Sequence, residues 1–209
     1  MIQYRVPAGF GEAELIEKRS RFISRIWPAE TEDEAIARIR EMREKHWDAS
    51  HNVYAYIIRD GNIMRYSDDG EPQGTSGIPT ISAFQHEEIF NFCCITTRYF
   101  GGTLLGAGGL VRAYSAAAKA ALDSAGISAM GSWSDFIVSC SYGQYERVRN
   151  ELVSLGAMTE DTDFGVDVMI TAAIPEDKAE ALRANITEIT AGSAVMEITG
   201  SRFRAVKVT

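Results

Sequence analysis

Residues 98–110, RYFGGTLLGAGGL, carry five glycines between an apolar run and an alanine-rich run. The preceding residues, 89–99, are typical of a buried strand, and residues 110–122, LVRAYSAAAKAAL, are rich in alanine, the best helix former. A strand, a glycine-rich loop and a helix start in this order leave the unpaired N–H groups of the first helical turn facing the loop. The pattern therefore predicts a site for a phosphate or a carboxylate.

The glycine-rich loop has two interpretations. Its glycines allow an anion to approach the backbone, and the flanking arginines can add charge-assisted hydrogen bonds. Alternatively, the glycines serve close packing and positive backbone dihedrals, with nothing bound. The spacing is not that of a GxxxxGK[ST] phosphate loop, whose lysine is missing. The candidate anion- or nucleic-acid-binding residues are Arg98, Gly101, Gly102, Gly106, Gly108, Gly109 and Arg112.

A second unusual segment, residues 67–79, reads SDDGEPQGTSGIP. Its glycines and prolines predict a long loop rather than a helix or an interior strand, and long ordered loops are often functional. Asp68, Asp69 and Glu71 offer oxygen ligands for Mg²⁺ or Ca²⁺, although they are also good formers of solvated turns. A metal is thus left open here, and no cofactor is predicted.

The overall charge limits the class of partner. The net charge of −8 argues against a protein that coats polyanions indiscriminately, because such binding needs many phosphate neutralisations. The glycine-rich loop is different, since residues 89–122 contain no acidic residue but include Arg98, Arg112 and Lys119. A local phosphate site is therefore compatible with the acidic chain.

Location and thiol chemistry follow from what the sequence does not contain. No apolar run approaches the roughly 18 residues of a membrane span, and the N-terminus lacks a signal-peptide design. We expect a cytoplasmic protein that does not enter a membrane. Cys93, Cys94 and Cys140 lack metal-ligand spacing and are expected to be buried thiols. No GxSxG elbow occurs, and three scattered histidines do not indicate catalysis.

The remaining pattern predicts two domains. Thr31 is positioned to cap a helix that begins with acidic residues, and residues 53–58 and 63–66 predict a β-hairpin. Residues 127–134 are small and polar and predict a linker between domains 1–126 and 135–209. The order after the linker, βαββαβ, is that of a ferredoxin-like domain.

The two unusual segments together resemble a known family signature. SDDGEPQGTSGIP followed by ITTRYFGGTLLGAGGLVRAY is similar to the motifs of the IMPACT/YigZ family, also called UPF0029. Ser20, Arg21 and Phe22, and residues 48–51, resemble its other landmarks. The resemblance covers residues 10–126, and the second half is similar to the C-terminal domain of bacterial members in element order and length.

The resemblance implies an α+β chain with an Impact N-terminal domain of the ribosomal protein S5 domain 2-like fold and a ferredoxin-like C-terminal domain. The N-terminal fold is shared with sugar kinases of the GHMP class, in which a glycine-rich loop holds nucleotide phosphates. The corresponding loop here is residues 101–109. For bacterial members the resemblance implies RNA, ribosomes or translation factors as partners.

Three functions are consistent with this sequence. The first is a non-enzymatic, RNA- or ribosome-associated regulator of translation that binds phosphate at the glycine-rich loop. Salt-dependent RNA binding would favour it. The second is an enzyme acting on a nucleotide or phosphorylated small molecule, with Asp68, Asp69 or Glu71 as metal ligands or base. The third is a protein-interaction module that uses the C-terminal sheet.

Overall fold

The computed structural model describes residues 2–208 and divides into two compact units, whose main parts are residues 4–129 and 130–204. Helices and strands are interspersed along the described chain. In chain order they are β1 (Ile2–Pro7), β2 (Gly11–Glu17), β3 (Ser20–Pro28), α1 (Glu32–Lys45), β4 (His51–Ile58), β5 (Ile63–Ser67), α2 (Gly77–His86), β6 (Phe92–Tyr99), α3 (Ala107–Ala125), β7 (Ile127–Cys140), α4 (Tyr142–Leu155), β8 (Met158–Phe164), β9 (Val168–Pro175), α5 (Ala179–Ile189) and β10 (Val195–Val208).

The first unit is built on a sheet with the strand order β2-β3-β6-β4-β5, in which every neighbouring pair is antiparallel. Successive side chains of the central strand β6 point to opposite faces. Cys93 and Ile95 pack with α1 on one face, and Phe92 and Cys94 pack with α2 and α3 on the other. The same alternation places Arg98 on the α3 face of the sheet.

Two predicted elements of this unit are confirmed. The Thr31 side chain accepts a hydrogen bond of 3.3 Å from the Glu34 N–H and caps α1, which buries Ala35, Ile39 and Met42. The predicted hairpin is the antiparallel pair β4 and β5. Capping and turn residues lie next to the elements they define, so the local sequence is sufficient to predict both the α1 cap and the hairpin.

The predicted loop at residues 67–79 ends earlier than expected, because α2 begins at Gly77. Pro79 lies in the first turn of this helix, where backbone N–H groups have no partner within the helix and proline is tolerated.

The neighbouring elements β6 and α3 also differ in length from their predictions. β6 begins only at Phe92, and α3 continues to Ala125, beyond the predicted end of the alanine-rich helix.

The second unit has the expected ferredoxin-like plan. Its strands lie in the order β10-β7-β9-β8, and β1 also pairs with β7. This is the 4-1-3-2 order of a βαββαβ domain. Side chains from α4 and α5 pack on one face of the sheet, where Val148, Leu152, Leu182 and Ile186 are buried. The α+β fold class with S5 domain 2-like and ferredoxin-like domains is thereby confirmed.

The predicted linker at residues 127–134 is not a loop in the structure. It forms the first part of β7, which continues to Cys140. Trp133 and Ser134 pair with Pro175 and Ile174 of β9. Small, polar and glycine-punctuated sequence is compatible with a strand where the backbone hydrogen bonds are supplied by neighbouring strands, which local composition cannot show.

Candidate functional site

A cavity of about 370 Å³ lies in the first unit, where the glycine-rich loop meets the acidic loop. The lining combines the buried ends of β4 and β6, the acidic loop and the start of α3. It consists of His51, Gly70, Glu71, Pro72, Arg98, Phe100, Leu104, Leu105, Gly106, Ala107 and Leu110. The two segments that stand out in the sequence therefore contribute to one cavity.

An ion pair between Glu71 and Arg98 forms the floor of this cavity. Arg98 Nη1 donates to Glu71 Oε1 at 2.6 Å, and the Tyr114 hydroxyl donates to the same oxygen at 2.7 Å. The side chains of Arg98 and Glu71 are only 6% and 2% exposed. Burial, together with the Glu71 carboxylate, raises the pKa of Tyr114, so this hydroxyl remains a donor. The positive charge of Arg98 and the negative charge of Glu71 thus balance each other at the floor of the cavity.

Further contacts fix the Arg98 guanidinium. Nη2 donates to Ser20 Oγ at 3.3 Å, and the guanidinium carbon lies 5.2 Å and 5.6 Å from the ring centres of Phe22 and Phe100. Its Nε is buried and has no hydrogen-bond partner in the described part of the chain. The sequence predicts that Arg98 contacts a phosphate; in the structure its guanidinium instead donates a hydrogen bond to Glu71.

His51 lies opposite Arg98 in the β4–β6 register and lines the same cavity. Its Nδ1 is 2.8 Å from the backbone carbonyl oxygen of Asp69. Because a carbonyl oxygen only accepts, Nδ1 carries the hydrogen, and Nε2 of the neutral ring is an acceptor. Nε2 lies 3.8 Å from Glu71 Oε1. The sequence singles out His51 only as the end of the landmark at residues 48–51 and predicts no role for it, since strand pairing is what brings it to Arg98.

Asp68 caps the start of α2 rather than lining the cavity. Its carboxylate accepts hydrogen bonds from the N–H groups of Gly74, Ser76 and Gly77 at 2.8, 3.1 and 2.8 Å, and from Ser76 Oγ at 2.7 Å. Burial disfavours the charged carboxylate, but these hydrogen bonds outweigh burial and lower the pKa of Asp68. The side chain therefore organises the loop as a fixed anion.

Asp69 also has a structural role in the acidic loop. One oxygen accepts from the Asn52 N–H at 2.7 Å, and the other accepts from Arg43 Nη2 at 2.6 Å. Of the three predicted carboxylates, Glu71 alone lines the cavity. Across residues 2–208, no three His, Cys, Asp or Glu side chains are grouped so that they could hold a metal ion.

The glycine-rich loop owes part of its composition to packing. A Cβ at Gly101 would lie 2.1 Å from the Arg19 carbonyl carbon, so the loop backbone could not otherwise approach β3. The Gly101 N–H donates to Ser20 Oγ at 3.1 Å, which ties the loop to the Arg98 partner. A Cβ at Gly109 would crowd Leu105 at 2.9 Å. Gly102 is exposed at the outer part of the loop.

The first turn of α3 opens into the cavity. Gly106 is the N-cap, has a φ of 75° and supplies no side-chain cap, while its carbonyl oxygen accepts from the Leu110 N–H at 3.0 Å. The N–H groups of Ala107, Gly108 and Gly109 have no hydrogen-bond partner within the described residues, and the first turn contains no acidic residue. Such a helix start favours an anion. Arg112 is exposed on α3 and is not part of the lining.

Comparison with known proteins defines the family. Residues 18–122 match the Impact N-terminal domain, and residues 138–193 match a domain of unknown function, DUF1949. IMPACT family member YvyE of Bacillus subtilis is 33% identical over 183 residues, which cover 87% of this chain and 84% of the relative. IMPACT family member YigZ of Escherichia coli is 28% identical over 179 residues, covering 84% and 88% of the two chains.

The structural comparison agrees with the sequence comparison. The crystal structure of a hypothetical protein has a TM-score of 0.59 and 27% sequence identity, and the alignment covers 96% of this chain and 98% of that one. These comparisons define the class: a two-domain protein whose Impact N-terminal domain contains a helix that starts at a glycine-rich loop. The chain belongs to the IMPACT family.

No helix in the described residues is long and apolar enough to cross a membrane.

Proposed function

We propose that this protein is a non-enzymatic, RNA- or ribosome-associated regulator of translation that holds a phosphate group at the start of α3. The observation that carries this proposal is the unpartnered first turn of α3, whose Gly106 and Ala107 line the cavity. Amide N–H groups and the positive end of the helix dipole favour a phosphate at that position. A cytoplasmic location is part of the proposal.

The charges around the site support a small number of phosphate contacts. Glu71 offsets Arg98, so this arginine adds little net charge to the cavity. Arg112 and Lys119 lie farther along α3, and Lys119 is paired with Glu87 and Asp123. Because the whole chain carries a net charge of −8, its long-range interaction with a phosphate is repulsive, and binding depends on the local amides.

The test introduces a carboxylate at the helix start. Ala107 is exposed and lines the cavity, so Ala107→Asp places an anion beside the free N–H groups, and Ala107→Asn is the neutral control of equal size. Binding of labelled single-stranded and structured RNA is measured across a salt series. We expect binding that weakens with salt, a loss of about tenfold or more in the Asp variant, and a change below about threefold in the Asn variant.

Two results would overturn the proposal. One is the absence of RNA binding by the unaltered protein even at low salt. The other is equal RNA affinity of the Asp and Asn variants, which would place the contact elsewhere. Thermal unfolding of both variants supplies the folding control, since an acidic residue in the first turn of a helix is itself favourable.

A second candidate function is an enzyme that acts on a nucleotide or phosphorylated small molecule. With Nδ1 on the Asp69 carbonyl oxygen, His51 directs Nε2 to the cavity that Glu71 also lines, and Nε2 of a neutral imidazole can act as a general base. Saturable stabilisation by a nucleotide with Mg²⁺, turnover of that nucleotide, and loss of turnover in His51→Gln but not in the exposed His86→Gln would favour it.

A further inference from the structure

The sheet of the second unit has a free edge at β8. In the strand order β10-β7-β9-β8, β8 pairs only with β9 among the described strands. The backbone N–H and C=O groups of an edge strand can pair with another extended chain. On β8 the Thr162 N–H donates at 2.9 Å to the side chain of the preceding residue, Asp161, a local bond that an incoming carbonyl group can replace. One further strand can therefore be added to this sheet.

A groove of about 460 Å³ lies beside this edge, between β8 and α4. α4 contributes Tyr145, Arg149 and Val153 to its lining, β8 contributes Thr159 and Thr162, and β9 contributes Ile170. Val153 is 69% exposed although it is apolar, whereas Arg149 is held by Glu146 at 2.9 Å. A groove between an edge strand and a helix is suited to strand addition, in which an extended peptide pairs with the edge and inserts alternate side chains.

A β-bulge shapes the groove side of β8. Thr159 pairs with Ala172 and Asp161 with Thr171, so β8 has one extra residue at this point. Side chains alternate along a regular strand, and residues 159 and 162 would then lie on opposite faces. The extra residue brings both threonines to the side that faces α4, where they line the groove. The irregularity thus forms one wall of the groove.

The charges of β8 limit the kind of strand that can bind. Residues 158–167 include four acidic residues and no lysine or arginine. Glu160 is bound by two arginines of β10. Asp161 and Asp163 are exposed and form no ion pair within residues 2–208. Two carboxylates on the edge strand are therefore available to a positively charged partner.

These carboxylates favour one occupant over the others. Pairing of β8 with the β8 of a second copy would place acidic residues beside acidic residues, and an RNA phosphate would be repelled. A strand with lysine or arginine beside Asp161 and Asp163 is attracted instead. Because these two side chains alternate with Thr162, they lie on the face opposite to the groove. The complementary strand therefore alternates basic residues with apolar residues that enter the groove.

We infer that the β8 edge and its groove bind an extended segment of a partner protein, in which small apolar residues alternate with lysine or arginine. Backbone hydrogen bonds to β8 hold the segment, the groove accepts its apolar side chains, and the free carboxylates select its charge. The inference concerns the second unit alone and does not rest on the proposed function.

The experiment uses a labelled peptide in which valine alternates with lysine, with both ends blocked. Its binding to the unaltered protein is measured by fluorescence anisotropy. One control peptide has glutamate in place of lysine, and another has the same lysines and valines in two separate blocks. We expect the alternating basic peptide to bind at least about tenfold more tightly than either control. Absence of binding, or equal binding of the block peptide, would overturn the inference.

Methylation of the peptide backbone tests strand addition directly. The N–H and C=O groups of one residue point to the same edge of a strand, and those of the next residue point to the other edge. One peptide is therefore N-methylated on its valines and a second on its lysines. We expect one of them to lose about tenfold or more in affinity and the other to change by less than about threefold. Equal losses would show that backbone pairing does not hold the peptide.

A matched pair of variants tests the groove. Val153→Asn replaces a valine that lines it, and Val166→Asn replaces a valine that is 98% exposed in the β8–β9 turn and does not line it. Both side chains are exposed, so neither change should affect folding. We expect the alternating peptide to bind several-fold more weakly to the first variant and unchanged to the second. Equal affinities would exclude the groove from the site.

A second pair of variants tests the charges. Asp161→Asn with Asp163→Asn removes the two free carboxylates, and Glu180→Gln with Glu188→Gln removes two exposed carboxylates of α5, outside the groove lining. We expect only the first pair to weaken binding, by about fivefold, and to reduce its salt dependence. Equal effects would assign the attraction to the net charge of the chain. Displacement of the peptide by RNA, or its exclusion by a dimer of the protein, would assign the surface to another occupant and overturn the inference.

Discussion

The two units use arginine–glutamate pairs in opposite environments. In the first unit, Arg98 and Glu71 are 6% and 2% exposed and are enclosed by the sheet, α3 and the acidic loop. In the second unit, Arg202 and Arg204 share Glu160, and these side chains are 44%, 24% and 33% exposed. The partners are chemically the same, but water competes far more strongly for the Glu160 cluster than for the Arg98–Glu71 pair. Burial therefore decides how much each pair matters to stability.

Buried and exposed ion pairs are expected to contribute differently to the free energy of unfolding. An exposed ion pair contributes about 0–1 kcal/mol, because water and salt screen it and the long side chains lose entropy. Breaking a buried pair costs about 3–5 kcal/mol, because the remaining charge is left without compensation. Substitutions in the two units can sharpen this contrast or break it.

The largest effect is expected from Arg98→Met. The substitution leaves Glu71 buried without its counter-ion, and we expect the free energy of unfolding to fall by about 3–5 kcal/mol. Urea unfolding at neutral pH measures this change. Adding Glu71→Gln should recover part of the loss, since the amide oxygen still accepts from Tyr114 while the uncompensated charge is removed. A double variant as unstable as the single one would show that charge is not the cause.

An intermediate effect is expected from Asp68→Asn. The amide cannot replace all the hydrogen bonds that the carboxylate accepts at the start of α2, and we expect a loss of about 1–2 kcal/mol. The pKa of Asp68 is lowered from an ordinary value of 3.8, so its contribution is complete above that value and disappears as pH falls through the lower, folded-state pKa. Urea unfolding from pH 7 to 2 should therefore bring the two proteins together at the acidic end.

The smallest effect is expected from Glu160→Gln in the second unit. Arg202 keeps Asp135 as a partner, and all of these groups are partly solvated, so the expected loss is below about 1 kcal/mol. Repeating the unfolding measurement in 1 M salt should reduce the difference further. A loss as large as that of Arg98→Met would invalidate the comparison between buried and exposed pairs.

Elements defined by neighbouring residues were predictable. The cap at Thr31, the β4–β5 hairpin and the ferredoxin-like order each depend on short-range signals, and all three are present. The start of α2 was missed because its cap is Asp68, which is eight residues before Ser76 and resembles an ordinary turn former. Residues 127–134 were misread for a similar reason, since pairing partners determine that they form a strand.

The candidate site was predictable only in its parts. Composition indicates both loops. The contact between Glu71 and Arg98, however, depends on how the acidic loop folds, and the position of His51 in the cavity depends on the β4–β6 register. Composition does not distinguish Asp68, Asp69 and Glu71, yet their environments in the structure differ. Two of them satisfy backbone and side-chain donors within the loop region, and one faces the cavity.

The buried cysteines are natural reporters of local unfolding in the two hydrophobic cores. Cys93 and Cys94 lie on opposite faces of β6, and burial raises the pKa of Cys94 to about 12. Cys140 is buried in the core of the second unit, and burial also raises its pKa. Because the thiolate is the reactive form, labelling reagents reach these atoms only when the surrounding core opens. Rates of thiol modification, resolved by peptide mass, would then give separate opening free energies for the two cores of one unaltered chain.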